Sequence, residues 1–255
     1  MSYKEEFPKD AQIETSEGDY FIPYRGQPKT LQPDIHVTNQ IRKEDVMVKV
    51  KEMPYEEKYR MVIDNLKYHE TSIQPLIGKL FGDLAVAELK RTTQEGIKPI
   101  PEGGSFEEKY EIAYGNWVWS GKSVYRLIRE KRGEEGIKEF ERPNVEALKR
   151  KNASPALLLL GLIRVFSPSL AFTMTAGKMA YQLQWLSPLS VSELTKNRAV
   201  LNIPHCKILD FPETEDFCLV ACQQTYPMWV AEQFKVSMKM NRQGNSCTGI
   251  LTPLS

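Results

Sequence analysis

The hydrophobic period of the chain changes at Leu186, and no other feature constrains the fold as firmly. Upstream, apolar residues recur at helical spacing: Met61, Ile63 and Leu66, then Ile73, Leu76, Ile77, Leu80, Phe81 and Leu84. Downstream, residues 190–194 and 198–203 have the look of short strands. Residues 235–240 then alternate strictly, 242–245 turn, and 247–252 return as a strand. This order predicts an α+β fold, with a helical N-terminal half and a C-terminal antiparallel sheet flanked by helices. Residues 1–52 stand apart. They are polar, interrupted by Pro8, Pro23, Pro28 and Pro33, and carry Tyr20, Phe21 and Tyr24 without helical period. They form an extended N-terminal arm, either disordered or docked on a partner or on the chain's own body. A helical region, 53–154, and an α+β region, 155–255, follow.

Punctuation places the elements. Pro54 and the acids after it open the first helix, and Pro75 with Gly78 predicts a kink or break. Gly96 closes the next helix, and Ser105 with Glu108 makes a capping box for a third. That helix carries Tyr114, Trp117, Trp119 and Tyr125, packed against its neighbours, and Gly133 is placed to terminate it. Short helices over 134–141 and 144–152 come next, then an apolar helical segment, 155–185, broken at Ser167 and Pro168. Residues 213–234 form a helix disturbed at Pro227.

Composition excludes several classes. The 34 Lys and Arg nearly balance 33 Asp and Glu, which denies the chain the strongly basic face of a nucleic-acid binder. The N-terminus has no apolar core of a secretory signal. The run 155–163 is stopped by Arg164 and the next by Pro168, both short of the roughly 18–20 apolar residues of a membrane span. The expectation is therefore no span, with 155–163 a buried core helix. Four cysteines without a signal predict a reducing, cytoplasmic location.

Chemistry concentrates in His205 and Cys206, Cys218 and Cys222, with Cys247 in a turn near the end. Spacing of four puts Cys218 and Cys222 on one helix face. Three readings stay open: buried small hydrophobes, ligands for zinc or iron from Cys206, Cys218, Cys222 and Cys247, or a catalytic thiolate at Cys218 or Cys222 with His205 carrying protons. Elsewhere the signals are weaker. The stretch from Gly115 to Ser123 has five residues between its glycines where a phosphate loop needs four. His69 has no histidine at i+4 and is expected at the surface.

The C-terminal third, with His205-Cys206, the helix of Cys218 and Cys222, and the turn Gly244-Asn245-Ser246-Cys247, resembles the ending of two families. These are the 4-vinyl reductase-type small-molecule-binding domains and the L-2-amino-thiazoline-4-carboxylic acid hydrolase-like proteins. The resemblance spans about 155–253, and Asn245 stands where those families carry an acid. It implies a small ligand held between sheet and helices, sometimes beside a cysteine-bound metal, and marks Cys218, Cys222 and Cys247. The expected function is a cytoplasmic small-molecule-binding protein with hydrolase-type activity at a Cys/His site. The alternative is a non-catalytic accessory subunit, a homo-oligomer or a partner subunit whose arm, 1–52, wraps the complex.

Overall fold

A computed structural model describes residues 50–254, so nearly all of the expected arm, 1–52, lies outside the described residues. Helix α1 (Tyr55–Tyr68) starts after Pro54, with Glu56 and Glu57 in its first turn, where the helix dipole favours negative charge. Around Pro75 and Gly78, where a kink or break is expected, the chain stays helical. The backbone instead widens into a π-helical turn, His69–Ile73, and continues as α2 (Gln74–Phe81) with Pro75 in its first turn. A proline ring collides with the preceding α-helical turn, and the wider turn relieves that collision. The break falls at Gly82, whose φ of +87° suits glycine. α3 (Asp83–Gly96) then ends where its glycine predicted.

The Ser105 hydroxyl accepts from the Glu108 amide at 3.2 Å, capping α4 (Phe106–Lys151). Gly133 ends the first part of this element as expected. Arg132 and Gly133 leave helical geometry, and a second helix follows across the kink and runs through Pro143 to Lys151. Tyr114, Trp117 and Tyr125 are buried as expected.

α5 (Pro155–Phe166) and α6 (Pro168–Gln182) meet at the predicted break. The expected burial of 155–163 is wrong, because α5 contains no buried residue and Phe166 is 86% exposed. Apolar composition shows that a helix prefers apolar surroundings, and here no described part of the chain supplies them on its outer side.

The strands β1 (Ser190–Leu194), β2 (Ala199–Ile203), β3 (Val236–Gln243) and β4 (Ser246–Pro253) form one antiparallel sheet in the order β1-β2-β4-β3. Between β2 and β3 lie a second π-helical segment, Phe217–Thr225, and α7 (Tyr226–Phe234). Pro227 sits two residues after that segment, just as Pro75 follows the first. The register pairs Ala199 with Leu251, Leu201 with Gly249 and Ile203 with Cys247. These residues share the sheet face that packs toward α6 and α7.

Two apolar clusters result. One joins α1–α4 through Tyr114, Trp117 and Phe140, and includes Trp185, Ile208, Phe217 and Val220 from the C-terminal half. The other lies under the sheet around Phe172, Met179, Trp229 and Leu251. Leu148 and Leu186 pack against both. Among the described residues, no helix is long and apolar enough to cross a membrane.

Candidate functional site

Phe217 anchors the cysteine-bearing segment to α4. Its ring lies 5.0 Å from that of Trp117 and 5.8 Å from that of Tyr125. Gly121 makes the approach feasible, since a Cβ there would stand 2.6 Å from the Phe217 ring. The next residue is Cys218, buried, whose sulfur accepts from Gln223 Nε2 at 3.8 Å. Cys222 follows four residues later, close to one turn of either helix type, so both thiols share a side of the segment.

The other two cysteines arrive from the sheet. Cys247 stands on the inner face of β4 opposite Ile203. Cys206 lies just past β2, where its amide donates to the Asn245 carbonyl at 2.6 Å and ties the loop to the β3–β4 turn. All four thiols fall within electrostatic reach of one another, and Cys218, Cys206 and Cys247 each oppose ionisation of Cys222. The structure thus brings together Cys206, Cys218, Cys222 and Cys247. All are free thiols.

Burial dominates their chemistry. It pushes the Cys222 thiol well above its ordinary range, and the three neighbouring sulfurs add to the effect. Burial also raises Cys206, against the favourable influence of the Ile208 and Leu209 amides and the Ser187 hydroxyl. Cys247 is pushed up to about 11, mainly by burial, although the Thr248 amide and Arg242 favour its thiolate. Tyr114, Tyr125 and Tyr226 lie close enough to feel Cys222, and burial raises all three phenols. Tyr114 donates to the Leu186 carbonyl at 2.8 Å, while the Thr225 hydroxyl stands beside Tyr125. Cys222 and Tyr226 are partly exposed, and burial dominates the protonation of both.

His205 is placed differently. It is exposed, with Nε2 2.7 Å from Asp210 Oδ1, a surface carboxylate. Among the described residues, no group of three or more His, Cys, Asp or Glu side chains is placed to hold a metal ion.

Beside the thiol cluster opens a cleft of about 470 Å³ that the sequence analysis missed, with Phe217 in its wall. Lys122, Arg126 and Arg129 come from one side of α4, and Glu213, Glu215 and Asp216 from the loop facing it. Arg129 forks Asp216 through Nε at 2.6 Å and Nη2 at 2.7 Å. This bidentate geometry is the strong form of the pair. Lys122 Nζ donates to the Pro212 carbonyl at 3.1 Å and lies 4.5 Å from the Trp119 ring centroid. These contacts clamp the start of the cysteine segment. The signal was present in the sequence as bases three and four apart on α4 and an acidic run just before Phe217.

His69, expected at the surface, is partly exposed, and burial, helped by Lys151, lowers its pKa to about 4. A pocket of about 40 Å³ beside it is lined by Gln74, Thr93 and Ser120.

Comparison with protein-family models, curated proteins and solved structures finds no match.

Proposed function

We propose that the protein binds a small, uncharged, largely apolar molecule where the four thiols meet Tyr114, Tyr125 and Tyr226, and that it does so without covalent turnover. The observation that carries this reading is the meeting of four free thiols with three phenols, where burial opposes charge on Cys206, Cys222 and Cys247 and on Tyr114, Tyr125 and Tyr226. An environment that penalises a thiolate penalises a charged ligand for the same reason. Neutral thiols and phenols offer weak donors around apolar walls, which suits an apolar body with a few acceptor atoms. The resemblance of residues 155–253 to small-molecule-binding domains implies a ligand in the same place, between sheet and helices.

Hydrolase-type turnover has less support. It needs a thiolate or an adjacent base, whereas burial raises Cys206, Cys222 and Cys247 and His205 faces Asp210 at the surface. The non-catalytic binding or accessory subunit therefore stands first. A reducing, cytoplasmic setting belongs to the same proposal, because four neighbouring free thiols survive only where oxidants are scarce.

Two measurements test it. Small molecules released by denaturing the purified protein are identified by mass spectrometry for wild type and Cys222→Leu, which puts a bulkier side chain where the thiols meet. The expected result is one apolar compound recovered from wild type and lost from the folded variant. The second measurement is the pH–rate profile of iodoacetamide alkylation, resolved by cysteine. Apparent pKa values above that of an ordinary thiol are expected for Cys206, Cys222 and Cys247. Rapid modification of one of them at neutral pH would sink the binding-only reading and restore the hydrolase.

A further inference from the structure

The cleft between α4 and the loop before Phe217 is bridged at both ends and open in its middle. At one end Lys122 Nζ donates to the Pro212 carbonyl at 3.1 Å and stands 3.6 Å from Glu213 Oε2. At the other end Arg129 forks Asp216. Arg126 and Glu215 line the cleft as well, and α-helical spacing sets Arg126 between Lys122 and Arg129. Arg126 pairs with Glu130 on its own helix at 3.9 Å, beyond hydrogen-bond distance. Among the described residues, the Glu215 side chain has neither an ion pair nor a hydrogen bond. Both side chains are exposed.

The arrangement of charge selects the ligand. Lys122, Arg126 and Arg129 form one wall, while Glu213, Glu215 and Asp216 form the other. A phosphate ester would meet the row of acids, and a polyamine would meet the row of bases. A dipolar molecule satisfies both rows. Its carboxylate matches the planar fork of Arg126, and its ammonium matches the carboxylate of Glu215. The cleft volume of about 470 Å³ suits a small ligand, and Phe217 gives the wall an apolar portion for a hydrocarbon side chain. The loop is also strained here, since Glu213 takes φ +59°. That conformation is costly for a residue with a Cβ, and such costs concentrate at ligand sites.

We propose that this cleft binds a zwitterion, a free α-amino acid or short peptide with apolar side chains. Arg126 holds its carboxylate and Glu215 its ammonium. The site is separate from the place where the four thiols meet, and its ligand differs in charge from the apolar one proposed there.

The test is a ligand-observed NMR titration of the full chain with L-leucine and with leucyl-leucine. Each is compared with its N-acetyl form, which lacks the ammonium, and its amide, which lacks the carboxylate. At least one zwitterion is expected to saturate the protein, and its blocked forms to bind about tenfold more weakly. Arg126→Gln and Glu215→Gln should each weaken binding by a similar factor, with unchanged far-ultraviolet spectra. Arg91→Gln, which breaks an exposed ion pair with Glu95 on α3, should bind as wild type does. Four results overturn the proposal: saturation by neither zwitterion, equal binding of a blocked form, wild-type affinity in either cleft variant, or an equal loss in Arg91→Gln. The last would show that charge acts without a site.

Discussion

His69 and Cys247 illustrate how burial of a titratable side chain ties protonation to folding. Burial keeps the His69 imidazole neutral down to about pH 4, whereas an unfolded imidazole titrates near ~6.5. Between those values the unfolded chain holds a proton that the folded chain does not. Stability therefore falls as pH drops through that window, by roughly 2–3 kcal/mol. Urea unfolding at pH 7 and pH 4.5 should show this gap shrinking by about that much in His69→Gln; an unchanged gap would mean that His69 titrates normally when folded. Thiols give the opposite limb. Cys247, raised to about 11, makes the folded state lose stability as pH climbs above the ordinary thiol value, because the unfolded chain ionises first. The sequence showed which residues carry soft and titratable groups and that they cluster. It did not show that burial lowers the pKa of His69, because the residues around it, such as Leu89 and Val124, are distant along the chain.

At the scale of elements, both π-helical stretches end two residues before a proline, at Pro75 and Pro227. A disturbance was legible at each proline, but not its form. A helix can answer a proline by breaking, bending or widening, and packing on α4 selects among these. Strands, hairpin turn and the Ser105 cap were legible because each depends on local chemistry. The exposure of α5 was not, since hydrophobicity says nothing of which partner covers it. Gly121 and Gly115 offer a matched pair on α4. Gly121→Ala drives a Cβ to 2.6 Å from the Phe217 ring, while at Gly115 the nearest atom, on Phe211, is an ordinary 3.6 Å away. Gly121→Ala should cost about 1–3 kcal/mol and speed alkylation of Cys218 by loosening its anchor. Gly115→Ala should be neutral or stabilising by up to ~1 kcal/mol from helix propensity. Melting curves with cysteine-resolved mass spectrometry check both, and equal behaviour of the two alanines would refute the anchoring role of Phe217.

For the whole molecule, the decisive fact is that the helical core borrows Trp185, Ile208, Phe217 and Val220 from the C-terminal half, while Leu148 and Leu186 serve both clusters. The two halves should melt together. Calorimetry is expected to show one transition with matching calorimetric and van't Hoff enthalpies, and Trp185→Ala should lower it as a unit by about 3–5 kcal/mol at the midpoint. Two separated transitions would show independent domains. The change of hydrophobic period at Leu186 revealed where helices give way to strands, but not this sharing, because long-range contacts leave no periodic trace. The strand order has its own consequence. β2 and β4 are neighbours in the sheet, yet the entire cysteine segment and α7 lie between them along the chain. Joining them closes a long loop, and the entropy of that closure must be met before the pairing returns any stability. An α-helix closes its hydrogen bonds locally and forms fast, whereas the sheet waits for a rare encounter between distant segments. Cys247 rides on β4 and Cys206 on the loop leaving β2, so the four thiols assemble in that same late step. Until that step the cysteines of a nascent or refolding chain are apart and open to oxidants.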